Sequence, residues 1–178
     1  TPNAGTAGNS TYSDAFVFNG AMDRFDFKLV GKKEMYVPYS GYKLMYAKDL
    51  KPALTPNHVN PEFQRWELHR VWVVEGTLKP GQRDLYSKRV FYLDEDSWVA
   101  LAADQYDAKG QLYRSTFANM TYSYDVNAVN VDNYAFQDFA SGAYTLVGAA
   151  GMSDGMRYIE PLPEAQWSSE SLAGAGVR

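Results

Sequence analysis

The chain has 178 residues, enough for one domain with a real core, and its 46% hydrophobic and 21% charged residues exclude a disordered chain. A net charge of -4 argues against nucleic acid as a main partner, because phosphate recognition needs a concentrated basic surface; Lys28, Lys32 and Lys33 come nearest to one and read as a solvated strand edge. Cysteine is absent, which removes disulfides, thiolate chemistry and cysteine-ligated metals.

In chain order, residues 1–14 (TPNAGTAGNSTYSD) are small and polar and read as a flexible arm. In residues 24–30, Phe25, Phe27 and Leu29 alternate with Asp26 and Lys28, the pattern of a strand buried on one side. Gly31-Lys32-Lys33 then reads as a turn into a second strand over 34–39, whose Pro38 belongs at a strand end or sheet edge. Residues 42–61 hold Pro52, Pro56 and Pro61 and read as a long connection with a short helical turn near 47–50. From Trp66 to Phe117 come four runs rich in Val, Tyr, Phe and Trp, separated by polar turns, which read as four consecutive antiparallel strands. Residues 121–132 read as a loop or weak strand, and further strands are expected over 134–139 and 143–149, joined at Ser141-Gly142. The sheet domain thus occupies 15–151. An irregular tail follows over 152–178, with a short helix capped by Ser168, running to Leu172 and carrying Glu170 in its first turn. No apolar run approaches the ~18–20 residues a spanning helix needs, and no signal-peptide pattern is present.

The turns suggest a register. Residues 106–111 suit a hairpin closed by Gly110 in the left-handed region, which sets Asp104 opposite Arg114. A tight turn at Glu95-Asp96 sets Leu93 opposite Trp98. One face then carries Phe91, Leu93, Trp98, Ala100, Ala102, Tyr106 and Leu112 with Arg89, Asp104 and Arg114; the other carries Val90, Tyr92, Val99, Leu101, Tyr113 and Phe117. Both are partly apolar, so the sheet is expected to be covered on both sides. No amphipathic helix of useful length is apparent, so either the sheet closes on itself or its cover lies outside this chain.

No catalytic motif is found. His69 shares a strand face with Glu67, Val71, Val73 and Glu75, which would suit a general base or metal ligand, but a structural role is the simpler reading. His58 reads as a turn residue. Asp94-Glu95-Asp96 lacks the alternating oxygens and central glycine of a calcium loop and reads as a charged hairpin turn. No Gly-x-Ser-x-Gly or phosphate-binding glycine loop occurs. The informative feature is 15% aromatic residues. Much of that content suits a β core; the remainder suits an apolar groove with Tyr and Trp at its mouth, for a lipid-like ligand or a sugar.

DRFDFKLVGKKEMYVPY (residues 23–39), RWELHRVWVVEGTLKPGQRDLYSKRVFYLDEDSW (65–98) and ADQYDAKGQLYR (103–114), with the ending SLAGAGVR, resemble the signature segments of a bacterial family of unknown function whose members are commonly labelled outer-membrane lipoprotein-sorting proteins. The resemblance implies a secreted periplasmic protein of Gram-negative bacteria. It implies a mainly β fold like that of the lipoprotein-localisation factors, a curved antiparallel half-barrel around an apolar cavity, with this chain as the C-terminal part of a longer protein. The expected function is non-enzymatic binding or transport of a lipid or acylated ligand, with no cofactor, no metal and no catalytic residues. Trp66, Leu68, Trp72, Phe91, Leu93, Trp98 and Ala100 are the candidate cavity residues, Trp66 and Trp72 sharing one strand face. Expected partners are the lipid or acyl chain, an inner-membrane lipid exporter or outer-membrane protein, and the N-terminal part of the same protein. The alternatives are a structural module pairing through its sheet edges and a hydrolase of an envelope polymer or lipid using His69 or a carboxylate.

Overall fold

The computed structural model describes residues 10–175. The strands are β1 (Phe25–Pro38), β2 (Leu54–Thr55), β3 (His58–Val59), β4 (Trp66–Leu78), β5 (Lys88–Asp94), β6 (Ala100–Tyr106), β7 (Leu112–Ala118), β8 (Thr121–Ser123), β9 (Ala128–Asn130), β10 (Tyr134–Asp138) and β11 (Tyr144–Val147); α1 (Tyr42–Met45) and α2 (Ser169–Ala175) are short helices. Seven strands form one antiparallel sheet in the order β1-β4-β5-β6-β7-β10-β11, and β2–β3 and β8–β9 make separate two-stranded ribbons. The sheet is open, with β1 and β11 as its edges. This is the mainly β, antiparallel architecture that the aromatic and β-branched runs predict.

The sheet curls. β1 touches β6 and β7, although β4 and β5 separate them in the hydrogen-bonded order. At the start of β4, Trp66 meets Phe117 of β7 edge to face, with ring centroids 5.4 Å apart. The face carrying Val37, Val71, Val90, Tyr92 and Ala102 is therefore the inner one, and Met120 packs into it. The connection over 41–65 closes its far side, where Leu44, Ala53 and Val59 pack on Ala135. The outer face is covered over β5, β6, β7 and β10 by residues 10–20, whose Val17 is buried against Phe91, Ala103, Ala118, Tyr134 and Phe136. The inner face and part of the outer face are covered by segments of this chain with only short regular elements, not by a long amphipathic helix or by sheet closure, so periodicity gave no sign of the covers.

Several expectations change. Residues 10–14, expected in a flexible arm, pack tightly: Ser10 and Asp14 are buried, and Asp14 bonds Arg89 at 2.9 Å. Residues 1–9 of that arm lie outside the described residues. Gly31-Lys32-Lys33 does not turn the chain; β1 is one strand whose register slips by one residue between Leu29 and Gly31 against β4. The helical turn falls at α1, before the expected 47–50. Gly110 is left-handed at φ +76, as the hairpin requires, and Tyr106 pairs with Leu112. A bulge then shifts the register, so Arg114 faces Gln105 and Asp104 faces Ser115. A single-residue shift moves a side chain to the opposite face. Asp104, opposite Val90 in the β5–β6 register, faces inward and accepts hydrogen bonds from Tyr92 (2.8 Å) and Ser115 (2.5 Å), while Arg89 and, after the β6–β7 slip, Arg114 lie on the other face. At the other hairpin Leu93 pairs with Ala100, not Trp98, because Trp98 sits within the turn at φ +60.

That β5–β6 turn is tied to β1 and β4 through Glu95, which accepts hydrogen bonds from Arg70 and Lys32. The Arg70 hydrogen bond first, and Lys32 next, lower the Glu95 carboxyl from 4.5 to about 2. A carboxyl depressed on folding adds stability that is present above its unfolded value and lost as pH falls through the folded one. Chemical denaturation between pH 5 and 2 is expected to show a shallower acid loss for Glu95→Gln than for the native chain. Equal slopes would mean that the clamp contributes nothing.

Gly148, just past β11, stands at φ +75, and a Cβ there would lie 1.9 Å from the Asp132 carbonyl oxygen. Its own carbonyl accepts from Asn133 Nδ2 at 2.7 Å, and Asn133 in turn accepts from Asn119 at 2.7 Å, so the backbone has little room to retreat. Gly148→Ala should cost about 3 kcal/mol in equilibrium urea unfolding; a change below ~0.5 kcal/mol would show that this corner relaxes freely.

Candidate functional site

Residues 10–20 leave the outer face partly bare over β1, β4, β5 and the start of β6. Phe27 of β1, Val74 of β4, Phe91 and Leu93 of β5 and Ala100 of β6, with Phe18 and Met22 from the preceding segment, line a groove of about 320 Å³ whose walls are wholly apolar. The register sets them side by side: Val74 opposes Phe91 and Leu93 opposes Ala100. Phe18 closes one end, with its ring 5.4 Å from Phe91 and 6.3 Å from Phe27.

The groove continues into an exposed aromatic stripe. Trp72 pairs with Leu93 across the strands and stacks on Trp98, with centroids 6.2 Å apart, and the Lys32 ammonium sits 4.0 Å over the Trp72 ring. The left-handed backbone at Trp98 presents its indole at the hairpin tip, 66% exposed. Further along β1 and β4, Tyr36 and Leu68 oppose each other, both exposed. Isolated exposed hydrophobic residues are ordinary, whereas a contiguous apolar groove continuing into an aromatic stripe marks a surface that meets something apolar.

Of the seven cavity residues expected from the sequence, Phe91, Leu93 and Ala100 line this groove, and Trp72 and Trp98 flank it. Leu68 lies exposed on the extension. Trp66 does not join them. The curl of the sheet turns it onto Phe117, where it lines a separate depression of about 310 Å³ with Val59, Ala135 and Tyr144. Trp66 and Trp72 therefore occupy different environments. Phe27 was not among the expected site residues, although the alternation of β1 is the signal that sets it on an apolar strand face. Phe18 and Met22 carry no such signal, because they lie in irregular chain where no periodicity points to a face. The groove, moreover, is on the outer face; the inner face is filled by the protein's own side chains.

A second cluster lies on the inner face near the β5–β6 turn. His69 Nδ1 is 2.9 Å from Asp94 Oδ1, its Nε2 is 3.6 Å from Glu67 Oε2, and the Tyr39 ring stacks on the imidazole at 4.0 Å. The other Asp94 oxygen accepts from Ser97 N (2.9 Å) and Oγ (2.6 Å), and the carboxylate is wholly buried. Burial, then the charges of Asp94 and Asp96, raise the Tyr39 phenol above its usual value. Glu67 and Glu75 share the strand face of His69 as expected, and Glu75 lies farther along β4, opposite Val90 and near Lys88. The Asp94-Glu95-Asp96 run does form the hairpin turn, but Asp94 is an inner-face residue and not a solvated one. His58, read from the sequence as a turn residue, instead opens β3 just after the turn and pairs with Thr55 of β2.

Among the described residues no helix is long and apolar enough to cross a membrane. The family model described as Protein of unknown function (DUF1329) matches residues 1–173. The chain is 42% identical over 179 residues to Uncharacterized protein PA3922 of Pseudomonas aeruginosa, an alignment that covers 99% of this chain and 39% of that protein; the chain thus spans well under half the length of this relative. Its fold is similar to that of a domain from Vibrio parahaemolyticus described as an outer membrane lipoprotein-sorting protein, with TM-score 0.54 and 17% identity over 97% of this chain and 56% of that one. A DUF1329 family protein from Desulfovibrio piger aligns with TM-score 0.48 and 18% identity over 92% of this chain and 58% of that one.

Proposed function

We propose, on the premise that this chain belongs to the family described as Protein of unknown function (DUF1329), that it is a non-enzymatic binding or carrier module of the bacterial envelope for a lipid or the acyl part of a lipoprotein. The observation that carries this reading is the wholly apolar groove bounded by Phe18, Phe27, Phe91 and Leu93, open to solvent beside the Trp72–Trp98 stack. A flexible hydrocarbon chain suits it. Such a chain requires no hydrogen-bond partners, and burying apolar surface supplies roughly 25 cal/mol per Å² before ordering costs are subtracted. Aromatic side chains with a polar edge suit the place where an acyl chain meets its headgroup. The lipoprotein-sorting description of the Vibrio domain is compatible with this role, and a periplasmic location, with an exporter or outer-membrane partner, follows from the same reading. The test is titration of the purified chain with a fluorescent long-chain fatty acid analogue. Saturable binding near one probe per chain, displaced by unlabelled lipid, is expected; no saturable binding would remove the proposal.

A hydrolase reading has one observation in its favour, the buried Asp94 bonded to His69, which is how a carboxylate orients a catalytic imidazole. Its test is turnover of acyl esters by the native chain and by His69→Ala, with no difference counting against it.

A further inference from the structure

Three aspartates are buried in the described residues and ion-paired. Asp14 has Arg89 at 2.9 Å and Asp138 has Arg114 at 2.9 Å. Asp94, with a side chain of 0% exposure, has only His69. Unlike the other two, it has no Lys or Arg paired with it among the described residues, and burying a carboxylate away from a fixed positive charge is costly. Two more carboxylates lie close by: Asp96 is exposed just beyond it, and Glu67, itself paired with Arg65, faces the other edge of the imidazole at 3.6 Å. One ligand atom each of His69, Asp94 and Asp96 lies within 4.8 Å of the others.

We infer that this cluster is a site for a divalent transition metal ion. His69 Nδ1, Asp94 and Asp96 are the ligands, and Glu67 is the carboxylate that orients the ring. Two ligands each ~2.0–2.2 Å from one ion stand roughly 2.9–3.5 Å apart for angles of about 90–110°, so the 2.9 Å between His69 Nδ1 and Asp94 Oδ1 needs to open only a little to admit the ion. With an ion on Nδ1, the proton that Nδ1 directs at Asp94 would pass to solvent and Nε2 would take one up from solvent, so the ring would keep one proton, on Nε2 and directed at Glu67. This is the carboxylate–histidine–metal relay in which the second ring nitrogen is fixed by a hydrogen bond. Imidazole with carboxylates suits zinc, copper or nickel, and not magnesium or calcium, which take oxygen ligands. Tyr39, stacked on the ring, and Ser97, bonded to Asp94, hold the ligands in place without the ion.

The chain makes the test clean, since it has two histidines and no cysteine. Calorimetric titration of the full chain with Zn²⁺ alone at pH 7.5, in a non-chelating buffer, is expected to show one ion per chain. His69→Ala should weaken binding at least tenfold and Asp96→Asn severalfold, while His58→Ala leaves it unchanged. Asp96 is exposed, so Asp96→Asn decides the matter should His69→Ala fail to fold. Cu²⁺ should give an electron paramagnetic resonance spectrum of one imidazole nitrogen, lost in His69→Ala. The inference is overturned if the native chain takes no Zn²⁺ at 1 mM, if binding follows His58, or if folded His69→Ala and Asp96→Asn titrate like the native chain.

Discussion

Replacing Asp14 with alanine is expected to cost the fold about 3–5 kcal/mol. Asp14 and Arg89 are each 1% exposed and bonded at 2.9 Å; Asp14 also accepts from the Tyr86 hydroxyl at 3.1 Å and from Thr11 N at 2.7 Å. Its removal leaves a guanidinium buried beneath Phe18, Phe25 and Tyr86, with Asp84 3.7 Å away as the remaining carboxylate. Residues 10–20 would also lose their one charged anchor to the sheet. The cost arises from stranding a charge and not from the worth of the pair, so Asp14→Leu combined with Arg89→Met should recover much of it. Urea unfolding of the two single variants and the double variant distinguishes the cases. A cost below ~1 kcal/mol for Asp14→Ala would mean that residues 10–20 are not held as described.

Phe27→Asp is expected to weaken acyl-probe binding about hundredfold while leaving the chain folded. Phe27 is partly exposed on an edge strand, so the substitution disturbs little of the core, but it sets a carboxylate against Val74 and Phe91 in a groove that offers no polar partner. Desolvating that charge under a hydrocarbon chain costs several kcal/mol, and each ~1.4 kcal/mol is tenfold in affinity. Trp66→Ala is the matched control. It removes a larger aromatic from the separate inner depression and should leave the affinity as it was. Loss of binding in Trp66→Ala, with none in Phe27→Asp, would move the ligand to the inner face.

The strands were legible wherever side-chain alternation or long β-branched and aromatic runs dominate, as in Phe25-Asp26-Phe27-Lys28-Leu29 and in the four runs between Trp66 and Phe117. Faces were legible only up to the first bulge. Tyr106 and Leu112 pair as the turn chemistry requires, yet the register slip next to them sets Arg114 opposite Gln105 and leaves Asp104 opposite Ser115. Bulges depend on how the strand must bend to curl the sheet, which is a property of the whole sheet and not of the turn. The covers were hidden for a related reason. Residues 10–20 are held by one buried carboxylate and a few aromatic contacts, and small polar residues around such an anchor look like a linker. The groove was partly legible because Phe91, Leu93 and Ala100 fall on one face under either register. The partnership of His69 with Asp94 was not, since it needs the β4–β5 pairing that sets Val71 opposite Asp94.

The central claim is that the outer groove holds an acyl chain, and native mass spectrometry of the protein recovered from the bacterial envelope, followed by solvent extraction, tests it most directly. A species heavier than the bare chain by the mass of a lipid or acylated compound is predicted for the native sequence and is absent from folded Phe27→Asp. A bare chain from the envelope that also refuses added lipids in the same instrument would contradict the account.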